Sequence, residues 1–152
     1  MPGTAGIRIP PPVIPLGVIG LAAGLHVLLD LPSWTAPWAR WLGVAVLAGA
    51  VAWAIWAAVV MVRAGTSPEP WKPTKRLVTA GPFRWGRNPI YAAYLVGQLG
   101  LGLAADWWLC AAFLPVTWAA LRYGVIAKEE PYLTGLFGQA YAAYCRDVRR
   151  WL

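Results

Sequence analysis

Two short stretches of this chain combine residue types that could bind a charged ligand. The first, residues 77–91, places Arg84, Arg87 and Asn88 just before Pro89, and proline suits the first turn of a helix. The free N–H groups and the positive dipole end of a helix start favour a carboxylate or another anion. Snorkelling arginines in an interfacial loop would produce the same pattern. The stretch therefore predicts either an anion site or a plain interfacial loop.

The second stretch is a pair of adjacent carboxylates, Glu129 and Glu130, which follows a long apolar segment. The pair could receive an ammonium group or ribose hydroxyls, and it could equally form salt bridges to a basic loop. Taken together, the two stretches predict a ligand with an anionic and a cationic end. S-adenosylmethionine fits, because it carries a carboxylate, an ammonium group, a ribose and a sulfonium centre.

Apolar segments must position both stretches. The chain has 152 residues, of which 59% are hydrophobic and 12% charged, about half the usual charged share of a soluble domain. A membrane-spanning helix needs about 20 mainly apolar residues. We therefore predict an all-α integral membrane fold in one domain, without strands, which excludes a soluble Rossmann methyltransferase. The four predicted spans lie near residues 13–31, 41–62, 89–105 and 107–127.

Basic residues set the predicted orientation, because lysine and arginine accumulate on the cytosolic side of short loops. They lie before span one, between spans two and three, and after span four; Arg40 falls on the other side. Both termini and loop 63–88 should thus be cytosolic, in a plasma membrane of the bacterial inner-membrane type. The net charge of +7 follows from this topology, so we predict no nucleic-acid partner. Tryptophans agree, with Trp34, Trp38, Trp41, Trp107 and Trp108 at the outer interface and Trp71, Trp85 and Trp151 at the inner one.

The segments beside the spans carry further predictions. Loop 64–88 is rich in proline, which opposes a helix, yet its apolar residues should fold back onto the membrane domain. Pro131 should start a new amphipathic helix along the inner interface, with an apolar stripe that recurs every three or four residues. No metal is expected, because His26, Cys110 and Cys145 make no zinc set.

The order of the two stretches resembles a known family. Residues 77–91, LVTAGPFRWGRNPIY, resemble the first signature of the isoprenylcysteine carboxyl methyltransferase and phospholipid methyltransferase superfamily. Glu129-Glu130, followed by FGxxYxxYxxxVxRW over residues 137–151, resembles the second. The likeness covers roughly residues 63–152, whereas residues 1–62 match only as generic spans.

The resemblance implies a membrane-embedded enzyme that uses S-adenosylmethionine as its cofactor. Residues 1–62 would supply two spans, and residues 63–152 the cofactor-binding loop, a helical hairpin and a tail that caps the site. The acceptor would be a lipophilic molecule from the bilayer, with a carboxylate, thiol or amine that takes the methyl group. Carried over by position, the cofactor contacts would be Lys75, Arg76, Leu77, Val78, Phe83, Asn88, Pro89, Tyr91 and Glu129, with Glu130 beside them.

Departures from the isoprenylcysteine branch bear on the acceptor. That branch usually has His where this chain has Asn88, Tyr where it has Phe83, and a substrate-binding Arg where it has Val125. Arg122, one turn earlier, could serve in place of that arginine. Asn-Pro-x-Tyr and Glu-Glu-Pro are closer to the phospholipid N-methyltransferase branch. If the acceptor is a protonated amine, a general base is needed, and Glu130 and Tyr91 are the candidates.

Two alternatives stay open. The superfamily's fold resembles that of nicotinamide-dependent sterol reductases, so the chain could be a membrane reductase. It could also be a non-catalytic membrane protein that keeps the motifs for folding. The sequence leaves the acceptor, the oligomeric state and the role of His26 undetermined.

Overall fold

The computed structural model describes residues 4–7, 9–32 and 36–152, and this part of the chain is all-helical. Arg8 and Trp34, expected at the inner and outer sides, lie outside the described residues. The helices are α1 (Val13–Leu28), α2 (Pro37–Arg63), α3 (Pro89–Ala105), α4 (Leu109–Ala112), α5 (Leu114–Ala119), a π-helix (Ala120–Ile126), α6 (Ala127–Phe137) and α7 (Gln139–Asp147).

Two helices are long and apolar enough to cross a membrane. They are α2 and the nearly continuous helix Leu109–Phe137, whereas Val13–Leu28 and Pro89–Ala105 are apolar but shorter. All four predicted spans therefore appear as helical segments, but length and composition mark two of them as membrane-spanning. The described part of the chain is thus all-helical with two candidate membrane-spanning helices, and its further spans belong to the proposal below.

Helices α2 and α3 cross at very short range, because glycines remove the side chains between them. A Cβ atom at Gly43 would lie 2.3 Å from the main-chain nitrogen of Ala104, and one at Gly100 would lie 2.6 Å from that of Leu47. Small residues allow such close approach of helices in lipid. Packing of α2 against α3 thus accounts for both Gly43 and Gly100.

The far end of the hairpin is held by polar contacts. Asp106 adopts a left-handed conformation with φ of 63° and ends α3, between the predicted spans 89–105 and 107–127. Its carboxylate lies 3.4 Å from the guanidinium of Arg40, and the Asp106 side chain is almost fully buried. Deeper in the bundle, Gln98 donates to the Cys110 carbonyl at 2.8 Å and accepts from Thr117 at 2.7 Å.

The last long helix differs from the prediction in two respects. It runs through Pro131 rather than starting there, because the π-helix and the first turn of α6 continue without a break. The chain turns instead at Gly138, and this turn separates α6 from α7. The φ of Gly138 is +51°, a backbone conformation that glycine adopts readily and other residues rarely do. The predicted single amphipathic helix is therefore wrong: the tail is two helices joined at a glycine.

Loop 64–88 folds back onto the helices, as its apolar residues predict. Val78 and Phe83 are buried with Ala57 of α2 in one cluster. A 3₁₀ turn (Gly81–Arg84) carries Phe83 into this cluster, and its carbonyl accepts a 2.7 Å hydrogen bond from the Tyr144 hydroxyl of α7. The loop is thereby fastened to both α2 and the C-terminal helices.

Candidate functional site

A cavity of about 420 Å³ lies where loop 64–88 meets the ends of the helices. Its volume is within the range of small-molecule sites. The walls come from the N-terminal segment, the C-terminal half of α2, the loop, the first turns of α3, and α6 with α7. The polar or charged side chains among the lining residues are those of Ser67, Glu69, Thr74, Arg76, Arg87, Asn88, Tyr91, Tyr94, Glu129, Glu130, Tyr132, Tyr141 and Tyr144.

The two sequence motifs meet through one short hydrogen bond. The Tyr91 hydroxyl, on the first turn of α3, donates to Oε1 of Glu129 on α6 at 2.7 Å. A hydrogen bond to a carboxylate is stronger than one between neutral groups. Tyr91 also packs in a buried cluster with Leu121 and Val125, which holds its ring in place. The pair presents a carboxylate and a phenol side by side at the cavity wall.

Glu130 lies beside Glu129 but has different partners. Both of its carboxylate oxygens accept from the Arg150 guanidinium, at 2.6 and 3.0 Å. Nη1 of Arg87 lies 3.5 Å from Oε1 of Glu130 as well. Both oxygens of Glu130 thus have guanidinium partners in this structure. The role of Glu130 as a base stays a prediction.

Asn88 occupies the N-cap position of α3, but its side chain makes no capping hydrogen bond. The Asn88 Nδ2 group donates to the Arg150 carbonyl at 2.9 Å. The neighbouring N–H of Arg87 donates to the Arg149 carbonyl, also at 2.9 Å. The C-terminal segment thus passes along the start of α3. Gly86 permits this passage, since a Cβ there would lie 3.1 Å from the main chain of Trp151.

The remaining wall of the cavity is aromatic. Tyr141 and Tyr144 are buried on α7, with ring centroids 6.3 Å apart. Burial raises the pKa of Tyr141 to about 12 and moves the pKa of Tyr144 further upward, so both hydroxyls stay protonated at neutral pH. Arg87 donates to Cys145 Sγ at 2.7 Å and reaches the Tyr141 hydroxyl at 3.4 Å. This wall offers hydrogen-bond donors and flat apolar surface but no additional negative charge.

Most of the residues carried over from the resemblance line this one cavity. They are Arg76, Leu77, Val78, Phe83, Asn88, Pro89, Tyr91, Glu129 and Glu130. Lys75 falls outside the lining, and its main-chain N–H donates to the Thr66 hydroxyl at 3.0 Å. Arg122 also falls outside, with its guanidinium 5.5 Å from the Tyr123 ring. The structure thus gives no support to Arg122 as a substitute for a substrate-binding arginine.

Sequence reasoning did not predict the contacts that tie the site together. Arg87, Arg150 and Tyr132 have roles that depend on distant partners, such as the 3.1 Å bond from the Thr74 N–H to the Tyr132 hydroxyl. Tyr141 and Tyr144 belong to the second signature and to the predicted apolar stripe, but no contact of their hydroxyls was predicted. A signal was available for these two, because their hydroxyls require hydrogen-bond partners when buried.

Comparison with known proteins agrees with this geometry. A 70-residue stretch is 36% identical to the cobalt-zinc-cadmium resistance protein CzcN of Cupriavidus metallidurans, and it covers 46% of this chain and 32% of that protein. No solved structure matches the chain significantly. Residues 38–140 match the family model described as phospholipid methyltransferase, which is more than half of the chain and includes both Tyr91 and Glu129. The chain therefore belongs to the phospholipid methyltransferase family, within the superfamily that its two motifs resemble.

Proposed function

We propose that this protein transfers a methyl group from S-adenosylmethionine to a lipophilic acceptor that reaches the cavity from the bilayer. The observation that carries the proposal is the Tyr91–Glu129 hydrogen bond, which brings two motifs 38 positions apart onto one cavity. Family membership supports the reaction type. The reductase and non-catalytic alternatives have no comparable support.

The residues present fit the cofactor. S-adenosylmethionine, when bound, supplies an electrophilic methyl group. Glu129 offers a carboxylate to the ammonium group or the ribose hydroxyls, and Arg76 is an exposed cation on the lining for the cofactor carboxylate. The buried side chains of Val78 and Phe83 offer apolar surface to the adenine ring. The site's polar and apolar groups thus match both ends of the molecule.

One side of the cavity suits a hydrophobic chain. Ala54, Ile55 and Ala58 of α2 line it, with Pro11 and Pro12 from the start of α1 opposite. Ile55 is 57% exposed, which is favourable in lipid but not in water. An acceptor with its chain in the bilayer could therefore place its head group at the cavity while its tail stays among apolar side chains.

The cavity's charges favour an amine or thiol acceptor over a carboxylate. Val125, which replaces the substrate-binding arginine of the isoprenylcysteine branch, is buried in a hydrophobic cluster. The guanidinium groups of Arg87 and Arg150 are already engaged by Glu130. A second anionic ligand would thus lack a free cation inside the site, whereas an uncharged or protonated amine would meet the Glu129 carboxylate.

The chain's own contribution is positioning and, for an amine, proton removal. Methyl transfer needs the acceptor atom and the methyl group in line and close together, so a rigid site contributes most of the rate. A protonated amine must first lose a proton to expose its lone pair. Glu130 and Tyr91, the candidates for that step, both line the cavity beside the Glu129 carboxylate. A thiolate acceptor would need no base.

The orientation of the site supports a cytosolic opening. The cavity is built from the basic loop, α6 and α7, while the Arg40–Asp106 contact marks the opposite end of α2 and α3. We propose that the cavity end and both termini face the cytosol, where S-adenosylmethionine is available. Helices α1 and α3 would then be additional spans, shortened because the site occupies their inner ends.

The test is a binding measurement on purified full-length protein in lipid nanodiscs. Isothermal titration with S-adenosylmethionine should show binding, and Glu129→Ala should weaken it by about 1.5–3 kcal/mol, the usual contribution of a charged hydrogen bond. Glu69→Ala is the matched control, because Glu69 also lines the cavity but is paired with Lys72. Tight binding of a nicotinamide cofactor in place of S-adenosylmethionine would overturn the proposal.

A further inference from the structure

The C-terminal segment, residues 148–152, runs extended along the cavity's edge after α7 ends at Asp147. Val148 has φ of −123° and ψ of 132°, an extended conformation. The segment's main chain accepts two hydrogen bonds from the start of α3. The Arg149 carbonyl accepts from the Arg87 N–H, and the Arg150 carbonyl accepts from the Asn88 side-chain amide. These bonds fix the segment without using either arginine side chain.

The side chain of Arg150 then crosses to the other wall. Nε and Nη2 bind the two oxygens of Glu130 at 2.6 and 3.0 Å, a two-point contact that fixes both groups in orientation. The Arg150 side chain is 35% exposed and that of Glu130 22%, so water screens the pair only in part. Arg150 thereby links the N-terminal end of α3 to α6.

This link lies next to the groups proposed to bind the ligand. Glu129 lies on the same turn of α6 as Glu130, and Tyr91 lies three residues after Asn88 on α3. A change in the separation of α3 and α6 at the Arg150 link would therefore change the Tyr91–Glu129 contact. Two adjacent carboxylates also repel each other, and the guanidinium of Arg150 offsets that repulsion.

We propose that Arg150 is a positioning residue: by holding Glu130 with its side chain and Asn88 with its carbonyl, it sets the geometry of the Tyr91–Glu129 pair. Glu130 is then the residue through which Arg150 acts. The inference rests on the proposed function, since it concerns the binding of S-adenosylmethionine at that pair.

The experiment compares two neighbouring arginines in nanodisc-embedded protein. Arg150→Gln removes the contact with Glu130, whereas Arg149→Gln removes the same charge from an exposed side chain that forms no ion pair with the described residues. Arg150→Gln should raise the Kd for S-adenosylmethionine about tenfold, because small displacements of positioning groups have large effects. Arg149→Gln should leave the Kd within about twofold of the parent, since its bond to Arg87 uses only the main chain.

A double-mutant comparison separates a positioning role of Arg150 from a general loss of stability. In Glu130→Gln protein, the further change Arg150→Gln should add little to the Kd, because residues that act together are not additive. Equal Kd values for Arg150→Gln and the parent, or fully additive effects, would overturn the inference while leaving the proposed function intact. If the parent itself does not bind S-adenosylmethionine, the proposed function fails and the inference fails with it.

Arg150→Lys covers the case in which Arg150→Gln does not fold. Lysine keeps the charge but offers a point contact in place of the planar fork, so the Kd should lie between those of the parent and the glutamine variant. Loss of fold in both variants would assign Arg150 to stability alone and would overturn the inference.

Discussion

Replacing Tyr91 by phenylalanine removes one oxygen and tests the contact that joins the two motifs. The lost hydrogen bond, 2.7 Å long and made to a carboxylate, belongs to the class worth about 1.5–3 kcal/mol. Because the pair borders a cavity that water can enter, we expect the lower value, about 1.5 kcal/mol of the free energy of unfolding. The ring remains packed against Leu121 and Val125, so the cluster should survive.

The same change should weaken the binding of S-adenosylmethionine. Without Tyr91, the Glu129 side chain regains rotational freedom that must be lost again when a ligand binds. That loss is about 0.5–1.5 kcal/mol for one flexible side chain, which corresponds to roughly a two- to tenfold rise in Kd. Thermal unfolding in nanodiscs measures the first effect, and isothermal titration on the folded variant measures the second.

Tyr94→Phe is the matched control for both measurements. Tyr94 lies on the same helix and lines the same cavity, and its hydroxyl forms no hydrogen bond with the part of the chain that the structure describes. Its removal should leave the free energy of unfolding nearly unchanged. If Tyr91→Phe proves as stable as Tyr94→Phe and binds S-adenosylmethionine equally well, the Tyr91–Glu129 contact does not organise the site, and our reasoning about it is refuted.

Three further predictions concern the helix start, the helix crossing and the topology. Asn88→Asp removes the donor to the Arg150 carbonyl and should cost about 1–3 kcal/mol in thermal unfolding, so a variant of unchanged stability would contradict the assignment of that bond. Gly100→Ala should destabilise the protein by about 1–3 kcal/mol, because its Cβ would meet the main chain of α2, whereas Gly97→Ala places its Cβ at an ordinary contact distance and should be tolerated. Pro70→Cys, in protein without its native cysteines, should react with a membrane-impermeant maleimide only from the cytosolic side, and labelling from outside would reverse the proposed orientation.

The sequence predicted the parts of the site that depend on local chemistry. Proline at the start of α3 and the adjacent carboxylates of α6 are local signals, and both stretches line one cavity. Family likeness added loop residues such as Val78 and Phe83, which periodicity alone would not single out. The fold-back of the proline-rich loop was also predictable, because its apolar side chains need cover.

The parts that failed depend on distant partners. Asn88 was singled out as a neighbour of Pro89, and no local pattern announces that a carbonyl 62 positions away accepts from its amide. Nothing near Glu130 in sequence announced the arginine that binds both of its oxygens. Pro131 was read as a helix start, and a preceding π-helix, which no sequence pattern announces, carries the helix through it.

The π-helix Ala120–Ile126 has a consequence for how the chain tolerates changes in length. Its i→i+5 hydrogen bonds make a turn that holds one residue more than an α-helical turn. Tyr123 and Gly124 are exposed in this turn, so deletion of either one can tighten it to an ordinary α-helix with the flanking turns still facing the same way. Deletion of one residue from α5 would instead rotate everything beyond it by about 100°, and Glu129 would face away from Tyr91. The wide turn is therefore the place in this helix where the chain can lose a residue and keep its cavity.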